Sequence, residues 1–425
     1  MRNVPELIDD SKAIKSSKIL FIACLGHAME LYDYVLYGVM LPFIASKFFP
    51  ETGLISSALL GYLSLALVVL ITPLGSIFWG WYGDRFGKSS MLTLSISFMA
   101  IASLAISILP TYHEIGLFAP ILLVFFRIMQ GISASGEIIG AKIFAMEVMG
   151  EKSYGISSSI ITASGACGVL LAMYMGYLAS ISKIEDFWRF AFLLGFILFA
   201  ISAAIRISLA KQLGIKKNSS ADKITTVFTI IRNHPYEFLT VFVLGAMLGI
   251  FSYSSQVFIN PFMIKRGLSK QAAYGYSIYS YVSTIIVAIS FGLYIDKYLL
   301  KIQSSLSILK KNLLYNSLVS FIAFSLLLSH NHSYNLMGYI ILGGAIGSYA
   351  CVCSIVIYKA FPSSVRCRGV MLSYALGCGM FSGSTPFILD IISRASSYLP
   401  MIFLSGCFLL TYIILTRSAK HVDVL

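Results

Sequence analysis

Long apolar stretches separated by short polar connections run through all 425 residues of this chain. About 20 apolar residues are needed for a helix to cross the hydrocarbon core of a membrane. Twelve stretches qualify, at 18–45, 54–81, 90–109, 117–146, 154–181, 187–208, 237–262, 270–296, 312–329, 335–358, 368–393 and 398–416. Their residues do not alternate over about ten positions, as the strands of a membrane barrel do. The pattern predicts an all-α membrane protein with twelve transmembrane helices.

The chain shows signs of an internal duplication. A segment rich in glycine and charge, Gly80-Trp-Tyr-Gly-Asp84-Arg85-Phe-Gly87-Lys88, has a degenerate copy at Gly292-Leu-Tyr-Ile-Asp296-Lys297, about half a chain length later. The longest polar connection lies between the two copies. We therefore predict two six-helix pseudo-repeat bundles, 1–208 and 237–425, joined by a linker at 209–236.

Composition and charge agree with a membrane protein. Charged residues make up 12% of the chain, whereas soluble domains carry about 25%. The net charge of +13 also suits nucleic acid, but the cations lie in the connections between apolar stretches. Lys and Arg number 22 on the side of the two termini and 7 on the other side. The positive-inside rule therefore places both termini in the cytoplasm, and we predict no nucleic-acid partner.

Catalytic and metal-binding patterns are missing from the sequence. No Cys-x-x-Cys pair occurs, and no nucleophile and base stand at a useful spacing. Gly83 and Gly87 are separated by three residues, whereas a phosphate-binding loop needs four. We predict that the protein is not an enzyme, has no catalytic residue and binds no metal.

Ionisable residues inside a membrane span are costly and mark function by default. The first span places five polar side chains on one helix face: His27, Glu30, Asp33, Tyr34 and Tyr37. Two carboxylates one turn apart repel each other, which favours a proton on one of them. The structural alternative is that Asp33 only bonds to a neighbouring helix.

The fourth span supplies a partner for these carboxylates. Arg127 lies about ten residues into that span, or about 15 Å deep, followed by Gln130 and Glu137. An arginine at that depth needs a counter-charge, and Glu30, Asp33 and Glu137 are the candidates. Such a pair suits a site for a substrate carboxylate or a proton-coupled switch, and a purely structural ion pair is the alternative.

Tyrosines form a further layer of candidate residues. Tyr253 and Gln256 share a stripe of the seventh span, and tyrosine faces attract quaternary ammonium groups. Interfacial belts and helix packing are the alternative for most tyrosines of this chain. Gly343-x-x-x-Gly347 in the tenth span predicts close helix packing.

Several motifs resemble a known family. Gly80-x-x-x-Asp84-Arg85-x-Gly87-Lys88 resembles the signature loop of the major facilitator superfamily, between its second and third spans. Further stretches resemble its metabolite:proton symporter branch, which includes proline/betaine, α-ketoglutarate, citrate and shikimate transporters. They are Gly26 to Gly38, Ala119-Pro120 with Arg127 to Glu137, Trp188-Arg189, and Phe361-Pro362 with Arg366 to Tyr374. The chain departs from the family pattern with His27 in place of Asn and Ser135 in place of Gly.

The resemblance implies a bacterial inner-membrane protein that works by alternating access between its two bundles. Substrate is held near the midplane, a proton moves down its gradient, and no cofactor is needed; we expect a functional monomer in the lipid bilayer. The signature loop implies a conformational gate, in which Asp84 approaches the helix N-terminus near Arg366 and Arg368. The gate set further includes Gly80, Arg85, Gly87, Lys88, Asp296 and Lys297.

The sequence as a whole favours a proton-coupled importer of a small zwitterionic osmolyte such as proline or glycine betaine. Arg127 would meet the substrate carboxylate, and Glu30, Asp33 and Glu137 would be candidate proton carriers. The first alternative is a proton symporter of a dicarboxylate, tricarboxylate or other organic acid. The second is a membrane sensor that has lost transport.

Overall fold

A computed structural model of the protein describes residues 4–49, 57–86, 88–135, 142–143, 145–146, 149–150, 153–212, 227–300, 303–362 and 365–418. Helices are the regular elements throughout these ranges, and no strand occurs within them. A helix satisfies its backbone hydrogen bonds within its own segment, as the bilayer requires. The predicted all-α class is confirmed.

Twelve long helices follow one another in the described part of the chain, one for each predicted span. They are α1 Val4–Phe48, α2 Ser57–Phe86, α3 Lys88–Ser107, α4 Phe118–Ala134, α5 Tyr154–Ile181, α6 Phe187–Gln212, α7 Pro235–Lys265, α8 Lys270–Leu299, α9 Ser305–Leu327, α10 His332–Ala360, α11 Arg366–Ser382 with its continuation Ser384–Ala395, and α12 Leu399–Ser418. Within the described residues, eight of them are long and apolar enough to cross a membrane. The short helices Tyr112–Ile115 and Val227–Asn233 lie in connections.

Two of the long helices widen locally into a π turn. In α7 the turn spans Ser254–Phe258, and in α8 it spans Ile295–Leu299. Single π turns inside α-helices occur frequently at functional sites. Here they carry Gln256 and Asp296, two residues that the sequence marked as candidates.

In the described part of the chain, the helices pack around two large hydrophobic cores, and a third, small cluster consists of Ala23, Ala145 and Ile161. One core draws mainly on α7 to α12 and includes Leu309 and Tyr349, yet Met146 from the first half joins it. The other draws mainly on α1 to α6 and includes Phe192, yet Tyr274 of α8 joins it. The two halves of the chain therefore meet in extensive apolar contact. The boundaries 1–208, 209–236 and 237–425 stay predictions, because residues 213–226 lie outside the described part.

Large apolar side chains cover the outer faces of the helices. Leu74, Ile121, Ile286 and Leu318 each expose more than half of their side-chain surface. Soluble proteins rarely expose so much contiguous apolar surface. In a bundle of long apolar helices, this surface is the one that contacts lipid.

Small residues bring α8 and α10 into close contact. A Cβ atom added at Gly343 would lie 1.9 Å from the carbonyl oxygen of Ser280, and one at Gly347 would lie 2.5 Å from that of Thr284. The Thr284 hydroxyl donates to the Gly343 carbonyl at 2.9 Å. The predicted packing role of the glycine pair is confirmed.

A salt bridge ties the end of α1 to the connection between α5 and α6. Lys47 Nζ donates to Asp186 Oδ1 at 2.5 Å, and this hydrogen bond is the main reason that the pKa of Asp186 lies below its ordinary value. A lowered folded-state pKa contributes stability above the unfolded pKa of about 3.9, and that contribution is lost as the pH falls through the folded pKa.

Asp186→Asn tests this contribution. We expect a slightly lower thermal midpoint than wild type at pH 7, because the pair is partly exposed and screened by solvent. The difference should shrink as the pH falls below about 4, where the unfolded carboxyl is protonated. Thermal unfolding in detergent across this pH range measures it, and a difference that does not change with pH would contradict the assignment.

Candidate functional site

A cavity of about 100 Å³ lies between helices of the first and second halves of the chain. Helices α1, α5, α7, α8, α10 and α11 contribute to its wall, together with Lys142, which follows α4 in the chain. Its polar and aromatic lining residues are His27, Tyr34, Lys142, Thr162, Ser252, Tyr253, Gln256, Tyr281, Thr284, Tyr374 and Cys378. A concave pocket with a few convergent polar groups is the expected form of a small-molecule site.

Two basic side chains stand in the wall of the cavity. Lys142 Nζ lies 5.5 Å from the ring centroid of Tyr374 and interacts electrostatically with Glu30 and His27. His27 is only 2% exposed, and its Nδ1 has no hydrogen-bond partner among the described residues. Glu30 is buried as well. This part of the cavity wall therefore presents one cation, Lys142, next to a histidine with an unpartnered ring nitrogen.

The other side of the cavity is aromatic. Tyr34 of α1 and Tyr253 of α7 meet edge to face, with ring centroids 5.6 Å apart. Tyr281 is buried beside them, close to Ser255 and Gln256. Gln256 of the α7 π turn completes this wall. Aromatic faces with a few polar groups suit a solute with an apolar or cationic end.

A second polar cluster lies buried between α1, α3 and α4. Asp33, Arg127 and Gln130 are each at most 2% exposed. Gln130 Oε1 accepts from Arg127 Nη1 at 2.6 Å, while Gln130 Nε2 donates to Asp33 Oδ1 at 2.9 Å. Asp33 Oδ1 also accepts from the Ser103 hydroxyl at 2.7 Å. The glutamine amide thus links the arginine to the carboxylate.

The cluster leaves one carboxylate oxygen bare. Asp33 Oδ2 and Arg127 Nε are buried without hydrogen-bond partners among the described residues, and the Arg127 guanidinium lies 4.5 Å from the ring centroid of Tyr37. The Tyr37 hydroxyl forms a 2.7 Å hydrogen bond with Ser64. Because a buried, unpaired carboxylate oxygen is costly, Asp33 is well placed to take up a proton at Oδ2.

Helix α1 therefore presents candidate residues on two different faces. His27 and Tyr34 face the cavity, whereas Asp33 and Tyr37 face the Arg127 cluster. Arg127 is not among the described residues that line the cavity. The expected contact between Arg127 and a carboxylate is present only through Gln130, without a direct ion pair in the described structure.

The second copy of the glycine- and charge-rich segment bridges the two halves. The Asp296 carboxylate accepts from the backbone N–H groups of Gly155 at 2.6 Å and Ile156 at 2.7 Å, in the first turn of α5. These N–H groups have no partner within the helix, and the helix dipole favours an anion there. A Cβ atom at Gly155 would lie 2.3 Å from the carbonyl oxygen of Gly292, so α5 and α8 touch through their backbones.

The structure describes only some of the remaining gate candidates. Gly87 lies outside the described residues, as do the surroundings of Gly80 and the side chains of Asp84, Arg85 and Lys88. Glu137, the third candidate proton carrier, also lies outside them. Lys297 is exposed. Arg366 donates to the Phe361 carbonyl at 3.2 Å and lies 4.3 Å from the ring centroid of Tyr358. Arg368 lies partly buried in the first turn of α11.

Of the described residues that line the cavity, the predicted site included only His27, Tyr34, Tyr253 and Gln256. Lys142, Tyr281 and Tyr374 are among those that sequence reasoning missed. The signal for Lys142 was present, since a lysine inside an apolar span is as unusual as Arg127. The two tyrosines carried no signal, because a tyrosine stripe is equally typical of helix packing. Among the described residues, no group of three or more His, Cys, Asp or Glu side chains is arranged to hold a metal.

Comparisons with known proteins agree with this architecture. The family model described as Major Facilitator Superfamily matches residues 23–384. A protein of Staphylococcus haemolyticus (strain JCSC1435), provisionally named proline/betaine transporter, is 27% identical over 424 residues, or 96% of this chain and 88% of that protein. The proline/betaine transporter of Escherichia coli (strain K12) is 33% identical over 165 residues, or 39% of this chain and 32% of that protein.

A solved structure has the same fold. The proton:xylose symporter XylE bound to 6-bromo-6-deoxy-D-glucose matches with a TM-score of 0.72 at 14% identity, over 96% of this chain and 95% of the other; the xylose transporter comes from E. coli. At that identity the likeness concerns the fold alone.

Proposed function

The chain belongs to the Major Facilitator Superfamily, and we propose that it is a proton-coupled symporter that imports a small zwitterionic osmolyte such as proline or glycine betaine. One observation carries the proposal: a small cavity between the two halves lies beside a separate buried cluster of Asp33, Gln130 and Arg127. Helix α1 contributes to both. Solute and proton would thus act on adjacent faces of one helix.

The cavity supports a small solute with one anionic and one cationic or apolar end. Its volume of about 100 Å³ leaves room for few heavy atoms. Tyr34, Tyr253 and Tyr281 offer ring faces and hydroxyls, which suit a quaternary ammonium or a pyrrolidine ring. The relatives named as proline/betaine transporters agree with this class.

Asp33 is the group that we propose to carry the proton. Its Oδ1 already accepts two hydrogen bonds, and its Oδ2 is bare. A proton on Oδ2 removes a buried negative charge, whereas its loss returns a counter-charge to the Arg127 cluster. Glu30, buried and electrostatically coupled to Lys142, is a second candidate. Glu137, outside the described residues, is the third.

We further propose that the bundles 1–208 and 237–425 rock against each other in a bacterial inner membrane, with both termini in the cytoplasm and the monomer as the working unit. The end of α5 that meets Asp296 would then face the cytoplasm. Asp84 would act in the same way at the start of α11. The contact of Asp296 with α5 supports a latch that closes the cytoplasmic side.

Asp296→Ala tests the latch. Two hydrogen bonds to a charged group contribute about 1.5–3 kcal/mol each, and about 1.4 kcal/mol corresponds to a tenfold change in population. We expect labelling of Cys351, which is buried and contacts the Gly155 carbonyl, to rise about tenfold or more. The measurement uses N-ethylmaleimide on a variant with Cys351 as its only cysteine.

The matched control for the latch is Lys311→Gln, which removes an exposed charge near the same end of the bundle. Labelling of Cys351 in this control should remain at the wild-type rate. Equal labelling of Asp296→Ala and wild type would contradict the latch.

Uptake into proteoliposomes tests the proposed function directly. We expect labelled proline or glycine betaine to accumulate when an inward proton gradient is imposed, and accumulation to stop when a protonophore is added. The absence of gradient-dependent uptake of both solutes would contradict the proposal.

An organic-acid symporter is the second candidate function. It is favoured by the basic groups His27 and Lys142 in a cavity wall that contains no Asp or Glu among its described residues. Competition of uptake by α-ketoglutarate or citrate, but not by glycine betaine, would select it.

A further inference from the structure

Lys142 is the strongest charge in the described wall of the cavity. It contributes a cation to a space whose other described lining residues are neutral, apart from the titratable His27. Burying a lysine side chain inside a membrane span costs free energy, so such a lysine pairs with another group or takes part in function. The ring of Tyr374 at 5.5 Å and the nearby Glu30 are partners within the fold, but neither fills the cavity that Lys142 borders.

His27 provides a second and independent observation at the same place. It stands on the cavity face of α1, one to two turns before Leu31 and Tyr34. The ring is almost completely buried, and its Nδ1 lacks a hydrogen-bond partner among the described residues. Buried polar atoms are nearly always satisfied, so an exception calls for an explanation. In the tautomer with the proton on Nδ1, a bound solute whose oxygen reaches this nitrogen would satisfy it.

Arg127, the other cation deep in a span, already has partners within the protein. Its guanidinium donates to Gln130 and lies over the Tyr37 ring, and Arg127 is not among the described residues that line the cavity. Reaching the cavity would break the link to Asp33, on which the proposed proton step depends. The cavity therefore has one lysine, assisted by one histidine, for the charge of a solute.

We infer that Lys142 and His27 form the subsite that binds the carboxylate of the transported solute, so that the substrate class is a small solute with a single carboxylate. The inference rests on the proposed symport function and refines it. The tyrosine wall receives the other end of the solute. A cation of similar size without a carboxylate, such as choline, would offer no anion to the Lys142 subsite and be rejected, as sites built around a polar group reject analogues that lack it.

Two transport assays separate this subsite from the proton site. Gradient-driven uptake needs both sites, whereas counterflow exchange of labelled against unlabelled glycine betaine involves no net proton movement. Lys142→Gln should lose both activities, with an affinity at least about 100-fold weaker, and Lys142→Arg should retain part of them. Arg127→Gln should lose gradient-driven uptake and keep counterflow.

Lys359→Gln is the matched control. Like Lys142, Lys359 is half-buried and lies over a tyrosine ring, with its Nζ 5.1 Å from the ring centroid of Tyr154. Unlike Lys142, it is not among the described residues that line the cavity. Lys359→Gln should exchange glycine betaine at nearly the wild-type rate. In the unaltered protein, choline should not compete with glycine betaine, whereas proline or another monocarboxylate of that size should.

Two results would overturn the inference: counterflow close to wild type in a monodisperse Lys142→Gln protein, or equal competition by choline and glycine betaine. If Lys142→Gln does not purify, the choline competition on the unaltered protein tests the carboxylate subsite instead. If wild type exchanges glycine betaine but ignores the proton gradient, the symport proposal fails and the carboxylate subsite stands. If wild type transports neither probe, thermal stabilisation by glycine betaine but not by choline would still support the subsite, and its absence would contradict it.

Discussion

Asp33→Asn is expected to abolish proton-driven accumulation of the solute while leaving its exchange across the membrane intact. Asparagine keeps an acceptor oxygen for Ser103 and Gln130, so the packing of α1, α3 and α4 is preserved. It carries no titratable proton. We expect accumulation to fall by roughly 100-fold, at the lower end of what the loss of a positioned proton-transfer group costs.

Proteoliposomes that contain wild type, Asp33→Asn or Ser103→Ala provide the measurement. Ser103→Ala removes one hydrogen bond to Asp33 Oδ1 and keeps the carboxyl group, so it should retain proton-driven uptake at a reduced level. Wild-type accumulation by Asp33→Asn would remove Asp33 from the proton pathway. Loss of exchange together with accumulation, in a folded protein, would assign Asp33 to solute binding instead.

Gly343→Val is expected to destroy the fold of the second half. Even a Cβ atom at this position would lie 1.9 Å from the Ser280 carbonyl oxygen, and the branched side chain would add further overlap. Helices α8 and α10 would have to separate, which also breaks the hydrogen bond from Thr284 to the Gly343 carbonyl. Overpacking and backbone displacement of this kind destabilise a protein by several kcal/mol, roughly 2–5.

Gly406→Val is the matched control for this substitution. Gly406 lies in α12, and a Cβ atom there meets no heavy atom within 4 Å. We expect Gly343→Val to lose most of the monodisperse peak in size-exclusion chromatography from detergent, and Gly406→Val to keep it. Similar peaks for the two variants would show that the α8–α10 contact yields more easily than the structure indicates.

The features that the sequence predicted well depend on local or one-dimensional patterns. The twelve spans follow from the length of apolar runs, and the glycine pair of α10 follows from a spacing that fits one helix face. Tyr253 and Gln256 entered the predicted site because they share a stripe, and the cavity includes both. Each of these needs no knowledge of the neighbouring helices.

The role predicted for Arg127 shows what such patterns do not predict. Its depth in a span predicts a partner, but depth does not tell which face of the helix points to the solute. His27, Asp33 and Tyr34 lie within eight residues, yet the packing of α1 against α4 and α7 sends them to two different sites. That division depends on how six or more helices are arranged, which no single helix encodes.

The contact made by the gate residue Asp296 also depends on helix packing that the motif alone does not show. The second copy of the duplicated segment has Leu299 where the first copy has Gly87. In the structure, Asp296 of the second copy holds the N-terminus of α5 through two backbone N–H groups. A helix N-terminus needs only a carboxylate at the right place, so the glycine lost at the position of Leu299 does not prevent the contact.

Substrate-driven proton movement is the most direct test of two coupled sites on the faces of α1. Wild-type protein and Asp33→Asn are reconstituted into vesicles with a pH-sensitive dye in the lumen, and glycine betaine is added outside without an imposed gradient. We expect the lumen to acidify as glycine betaine enters through wild type, and no acidification through Asp33→Asn. Entry of glycine betaine through wild type with no change in lumenal pH would contradict proton-coupled transport.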